Sequence, residues 1–141
     1  MVLVDSSVWI EAARRQGDLG CKVALEALLE EYEAAWCSPV KLEVLGGARR
    51  EERTRLMAGF AVIPYCPIDE QIWELALRNV WKLRDAGHTV PWNDVLIASL
   101  SIHKICRVFA RDRHFEVMKE VLGLRLYNPG YGGSYLADEE G

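Results

Sequence analysis

The sequence contains no CxxC pair, no apolar run approaching the about 20 residues of a membrane helix, and no excess of basic charge. Each absence removes a class of protein. The four cysteines, Cys21, Cys37, Cys66 and Cys106, are scattered, and with only three histidines in the chain a zinc site is not expected. They read as reduced, mostly buried thiols of a cytoplasmic protein. The opening Met-Val-Leu-Val-Asp has neither a basic stretch nor a small-residue cleavage site, so no secretory signal is expected. Lysine and arginine total 17 against 21 acids, a net charge of −4. That argues against a basic nucleic-acid coat but leaves room for an enzyme whose acids gather in one site. Internal repeats, low-complexity tracts and interior linkers are also missing. Gly132-Gly133 has none of the strand and Gly-Lys-Ser/Thr context of a phosphate loop.

What remains is a chain of 141 residues, 50% hydrophobic and 27% charged, the size of one domain with its own core. We expect one α/β domain over residues 1–129 and a loop-like, glycine-rich tail with an acidic end over residues 130–141. Short apolar runs alternate with longer amphipathic ones. Val2-Leu-Val4 reads as a buried strand, followed by a short helix through Val8, Trp9 and Ile10 that Ser6 or Ser7 can cap. Asp18 starts a helix carrying Cys21, Leu25, Leu28, Leu29 and Tyr32. Ala34-Ala-Trp-Cys37 is a second strand, and Ser38-Pro39 are suited to open the helix of Val40, Leu42, Glu43 and Val44. A charged helix over residues 49–57 and an apolar run, Phe60-Ala-Val-Ile63, come next. Asp69 heads a long helix that Gly87 ends. The helix over residues 94–104 is apolar around its circumference and should be central. Arg107-Val-Phe-Ala110 and Leu124-Arg-Leu-Tyr127 read as strands flanking a helix that Gly123 stops. Such alternation predicts an α/β sandwich on a mainly parallel sheet.

Most of the 21 acids belong to a solvated surface, but four are placed differently. Asp5 and Asp112 follow apolar strands, and ligands of open parallel sheets bind outside the carboxyl ends of strands. Asp94 opens the most apolar helix, where a charge is costly unless it caps, pairs or ligates. Glu43 lies between Leu42 and Val44, near an apolar wall. Singly, each has a plainer reading as a cap, turn or exposed acid; together they describe a cation site. Magnesium and manganese take carboxylate, water and phosphate oxygens, and such ions drive phosphodiester displacement.

Four segments resemble the PIN-domain ribonucleases, more narrowly the VapC-type toxins of toxin–antitoxin pairs. They are Val2-Leu-Val-Asp-Ser-Ser-Val-Trp-Ile10, Cys37-Ser-Pro-Val-Lys-Leu-Glu-Val-Leu45, Asn93-Asp-Val-Leu-Ile-Ala-Ser-Leu100 and Val108-Phe-Ala-Arg-Asp-Arg-His-Phe115. The resemblance runs from Met1 to about Pro129. It implies a three-layer α/β/α sandwich and a metal-dependent endoribonuclease, using Mg2+ with Mn2+ as a substitute. Asp5, Glu43, Asp94 and Asp112 are then catalytic metal ligands, and Ser7 a polar helper beside Asp5. It further implies an RNA substrate, a cognate antitoxin protein that blocks the site with an inserted segment, a homodimer and no membrane. The chain departs from the family at Ala110, where Thr or Ser is usual, and at His114, where a further acid is common. His114 reads as an ordinary surface histidine, with contact to a substrate phosphate as the alternative.

Arg49, Arg50, Arg53 and Arg55 read as a solvated, ion-paired helix, with an RNA-tracking face as the alternative. Trp9, Trp73 and Trp81 fit core or interface positions, and Trp92 is the tryptophan placed for substrate contact. Phosphoaspartyl phosphatases need a second aspartate where Ser7 stands, and a receiver phosphoacceptor needs an acidic pair and a late lysine that do not stand out. The remaining rival is a PIN-like scaffold that binds RNA or a protein without cutting.

Overall fold

A computed structural model describes residues 1–139; Glu140 and Gly141, the end of the expected acidic tail, lie outside the described residues. Three parallel strands form the sheet in the order β2-β1-β3: β1 (Val2–Val4), β2 (Ala34–Ala35) and β3 (Arg107–Phe109). Parallel bridges extend it on both edges, Trp36 to Tyr65 and Val108 to Leu126. The expected strand at residues 124–127 is thus a single bridge, held by two main-chain hydrogen bonds that clasp Val108. The second strand is shorter than its apolar run, and the run Phe60–Ile63 starts inside a helix rather than a strand.

Strand alternation divides the core into two layers. Leu3, Ala35 and Val108 face one side, where they pack with Ile72, Leu83, Ile97, Leu100, Phe115 and Met118. These come from α5 (Glu70–Asp85), α6 (Trp92–Lys104) and α7 (His114–Leu122). Val2, Val4, Ala34 and Phe109 face the other side, against α1 (Ser6–Ala13) and α2 (Leu19–Glu30). Helices therefore cover both faces, a three-layer α/β/α sandwich with a parallel sheet. Between these layers in the chain lie α3 (Ser38–Gly46), a 3-10 turn at Arg50–Glu52, and α4 (Arg53–Ala61). As expected, α6 is the central helix, with every residue from Asp94 to Ser101 buried.

Local chemistry sets the helix ends. Asp18 and Asp69 cap α2 and α5 through their side chains, accepting from the amides of Gly20 and Ile72. Asp5, rather than Ser6 or Ser7, caps α1. Cys37, not Ser38, is the N-cap of α3, so Pro39 falls at its second position. Gly123 ends α7 at φ +77°, a conformation open to glycine.

The tail is tied down on one side of α2. Gly133 sits at φ +86° so close to it that a Cβ there would lie 2.9 Å from Val23. Tyr135 stacks on Tyr127, and Asp138 accepts from Arg125 at 2.7 Å. All four cysteines are free and buried. Burial pushes the Cys37 thiol up to about 12 and the Cys106 thiol to about 11, so both stay protonated.

Candidate metal centre

The site lies at the carboxyl ends of β1 and β3, beside the first turns of α1 and α6. Main-chain pairing carries past β1, with the Asp5 amide donating to Phe109 O at 2.9 Å, so Asp5 leaves the sheet at a fixed height. Its Oδ2 accepts from the Ser7 amide at 3.1 Å and the Ser7 hydroxyl at 2.6 Å. Its Oδ1 is buried and has no hydrogen-bond partner. Cap and candidate ligand are therefore roles of two different oxygens on one carboxylate. The Ser7 hydroxyl also accepts from the Arg111 amide at 2.9 Å, which stitches the segment leaving β3 to the start of α1. Arg111 then reaches Asp18 at 2.8 Å, closing the loop from outside.

Glu43, exposed on α3, is held from both sides. Ser6 Oγ donates to its Oε2 at 2.7 Å, and Asn93 Nδ2 approaches its Oε1 at 3.4 Å. Asp94 is buried at the third position of α6, whose N-cap is Pro91. Asp112 shapes the start of α7: its Oδ1 accepts from the His114 amide at 2.9 Å, and its carbonyl accepts from the Phe115 amide at 3.1 Å.

The His114 imidazole sits between two of these acids. Nδ1 lies 2.9 Å from Asp112 Oδ1 and 3.2 Å from Asp94 Oδ2. His114 is thus a half-buried member of the cluster, not the ordinary surface histidine expected from the sequence. One potential ligand atom each from Asp94, Asp112 and His114 lie within 4.8 Å of one another. Ala110 is half-buried and brings no hydroxyl to the site.

Electrostatics show a site short of positive charge. Desolvation, first, and then the charges of Asp5, Asp112 and Glu43 push the Asp94 carboxyl from its ordinary 3.8 to about 7, with His114 offsetting part of the rise. Burial also raises Asp5, against the hydrogen bonds from Ser7, with Glu43 adding to the rise. The oxygen-rich donor set and the orphaned Asp5 Oδ1 fit a divalent cation. Asp94 and Asp112 are brought together with His114, while Asp5 and Glu43 lie outside that close group and act on Asp94 through their charge; Ser7 is bonded to Asp5.

Sequence reasoning missed Ser6, Asn93, Arg111 and His114 as parts of this arrangement. Ser6 and Asn93 adjoin assigned residues in the chain, and that adjacency was the available signal. Among the arginines, Arg49 pairs with Glu52 and, at 3.7 Å, with Glu51, which is the ion-paired surface expected there. Trp92 is 75% exposed at the first position of α6, two residues before Asp94.

Residues 2–121 match the family model of the PIN domain. Ribonuclease VapC11 of Mycobacterium tuberculosis is 34% identical over 133 residues, spanning 89% of this chain and 96% of that one. Among solved structures, VapBC2 from Rickettsia felis, bound to a promoter DNA fragment, superimposes with a TM-score of 0.73 at 19% identity, covering 91% of this chain and 98% of that chain. A toxin-antitoxin complex from Klebsiella pneumoniae gives a TM-score of 0.67 at 18% identity, over 80% and 88% of the two chains. These likenesses place the chain in the PIN-domain family, among the VapC ribonucleases.

Proposed function

We propose that this chain is a metal-dependent endoribonuclease, the toxin of a toxin–antitoxin pair, acting in the cytoplasm with Mg2+ or Mn2+ held by Asp5, Glu43, Asp94 and Asp112. The observation that carries the reading is the buried, unpartnered Asp5 Oδ1 beside acids whose charges, after burial itself, raise Asp94. A divalent cation there supplies positive charge where negative charge builds on the phosphodiester and acidifies the attacking water. The chain's own residues do the positioning. Ser7 fixes Asp5 Oδ2 and leaves Oδ1 without a partner; Ser6 and Asn93 hold Glu43. Asp94 holds a proton through the lower neutral range and gives it up as positive charge enters. Trp92, exposed at the start of α6, offers a face on which an RNA base can stack.

Residues 1–129 carry this chemistry, and residues 130–141 form the tail that follows it. The partner surfaces are apolar. A groove of about 740 Å³ between α1, α2 and α4, lined by Trp9, Ile10, Leu25, Leu29, Leu56 and Phe60, is suited to an antitoxin segment. Trp73, Leu77 and Trp81, 51%, 45% and 57% exposed and spaced by four on α5, are suited to a second copy of the chain. Among the described residues no helix is long and apolar enough to cross a membrane.

The test is cleavage of RNA by the purified chain with Mg2+ or Mn2+. Cleavage should stop with chelator and return with metal, and expression without the antitoxin should arrest growth. An intact chain that binds RNA but leaves it uncut under every divalent ion returns the scaffold reading.

A further inference from the structure

We propose that His114 is itself a ligand of the cation, through Nδ1, and that its nitrogen shifts the site's preference from Mg2+ toward first-row transition ions. The proposal rests on the metal-nuclease reading and concerns a residue that the carboxylate set leaves out.

Placement is the first argument. His114 opens α7, and its amide is bonded to Asp112 Oδ1, so the backbone that carries the ring is fixed by a candidate ligand. The ring turns back toward the site instead of out to solvent, with Nδ1 2.9 Å from Asp112 Oδ1 and 3.2 Å from Asp94 Oδ2. Adjacent donors on an octahedral ion with bonds of 2.0–2.1 Å are about 3 Å apart. The imidazole nitrogen therefore already stands at a ligand's distance from two carboxylate oxygens that share its site.

Donor chemistry is the second argument. Mg2+ dehydrates reluctantly and favours oxygen, whereas transition ions gain from an imidazole nitrogen, increasingly along the Irving–Williams order. Coordination requires Nδ1 without its hydrogen, so the ring hydrogen sits on Nε2 in the loaded state. The competing arrangement keeps the hydrogen on Nδ1 and leaves His114 a donor to Asp94 and Asp112, outside the ion's own ligand set.

The experiment loads the full chain with Mn2+ and records pulsed EPR for the parent, His114→Asp and His114→Gln, with Mg2+ competition read calorimetrically. The expected parent spectrum carries nitrogen modulation, which is lost in both variants while Mn2+ remains bound. The ratio of the Mg2+ to the Mn2+ dissociation constant should fall about tenfold or more in His114→Asp, which exchanges nitrogen for oxygen. Mn2+ bound by the parent without nitrogen modulation overturns the proposal and leaves the carboxylate site standing. Modulation that persists in both variants also overturns the proposal, since it comes from a nitrogen other than that of His114. A parent that binds no Mn2+, or an Asp94→Asn chain that binds it as tightly, overturns the metal-centre reading and this inference with it.

Discussion

Two helices, α1 and α6, begin at the site with a buried aspartate, and only one of them needs it to begin. Asp5 is the N-cap of α1 and bonds its first turn. Asp94 stands inside α6 at the third position, and the helix starts without a side-chain cap. What holds α6 is burial, unbroken from Asp94 to Ser101, between the sheet, α5 and α7. So at α1, on the proposed function, the same carboxylate serves fold through the oxygen that caps the helix and chemistry through the one that lacks a partner. At α6 the fold comes from apolar packing, and the carboxylate is carried as a cost to the cation-free protein. Substitutions at the two positions should separate these cases.

Catalysis should feel the two aspartates alike, and this is the largest effect expected. Asn retains capping ability at position 5 and the shape of the side chain at position 94. Asp5→Asn and Asp94→Asn should each fold and each lower RNA cleavage by roughly a hundredfold or more. Both variants should relieve growth arrest. Parent-like rates from a folded Asp94→Asn chain retire the site assignment.

Stability should tell them apart. The folded chain keeps a proton on Asp94 up to about pH 7, which the unfolded chain releases near the ordinary 3.8. The stability due to that proton is complete below 3.8 and is lost as pH rises through 7. The loss has an upper bound of roughly 4 kcal/mol. Asn is neutral throughout, so without metal Asp94→Asn should match the parent near pH 4 and melt above it at pH 8. Asp5→Ala relieves repulsion too but forfeits a cap worth about 1 kcal/mol, so its gain should be the smaller. Manganese narrows the difference at pH 8. The parent gains about 2.7 kcal/mol at a hundredfold excess of free metal over its dissociation constant, and both variants gain less. Thermal melts at the two pH values decide; an Asp94→Asn chain that melts below the parent at pH 8 without metal makes that carboxylate structural.

The same contrast explains what could be read from the sequence. Strands β1 and β3, the caps at Asp18 and Asp69 and the stop at Gly123 depend on neighbours within a few residues, and their local patterns were sufficient. Asp5, Asp112 and Asp94 are marked locally by strand ends and an apolar helix start, whereas Glu43, in the middle of α3, has only its apolar neighbours to mark it. Ser6 with Glu43, Asn93 with Glu43 and His114 with Asp94 are pairs 37, 50 and 20 residues apart, with no periodicity linking them. His114 carried the signature of a surface residue until α6 was laid beside it. On α5 the helical spacing of Ile72, Leu75, Ala76, Val80 and Leu83 marks the covered stripe, with Ile72, Ala76 and Leu83 buried, while Trp73, Leu77 and Trp81 stay exposed. Residues 124–127 have a strand's composition, yet the sheet is joined only at Leu126.

The smallest effects expected are at the second residue of each helix. Ser7 in α1 meets Asp5 through a 2.6 Å hydroxyl bond, partly buried, and Asn93 in α6 meets Glu43 at 3.4 Å in the open. A hydrogen bond to a charged group contributes about 1.5–3 kcal/mol, whereas a long, exposed contact contributes little. Ser7→Ala should therefore slow cleavage about tenfold or more, and Asn93→Ala by about twofold. The Ser7 amide still caps α1 in Ser7→Ala, so the helix is retained and the loss falls on Asp5 Oδ2 and on the Arg111 amide. Because the Ser7 hydroxyl favours the ionised carboxylate, its removal raises the Asp5 pKa further. The acid limb of the pH–rate profile then moves to higher pH in Ser7→Ala and stays in place in Asn93→Ala. Ser7→Thr keeps the hydroxyl and should restore both rate and profile; a Ser7→Ala enzyme slowed with no movement of the acid limb assigns Ser7 to the stitch with Arg111 instead of to Asp5.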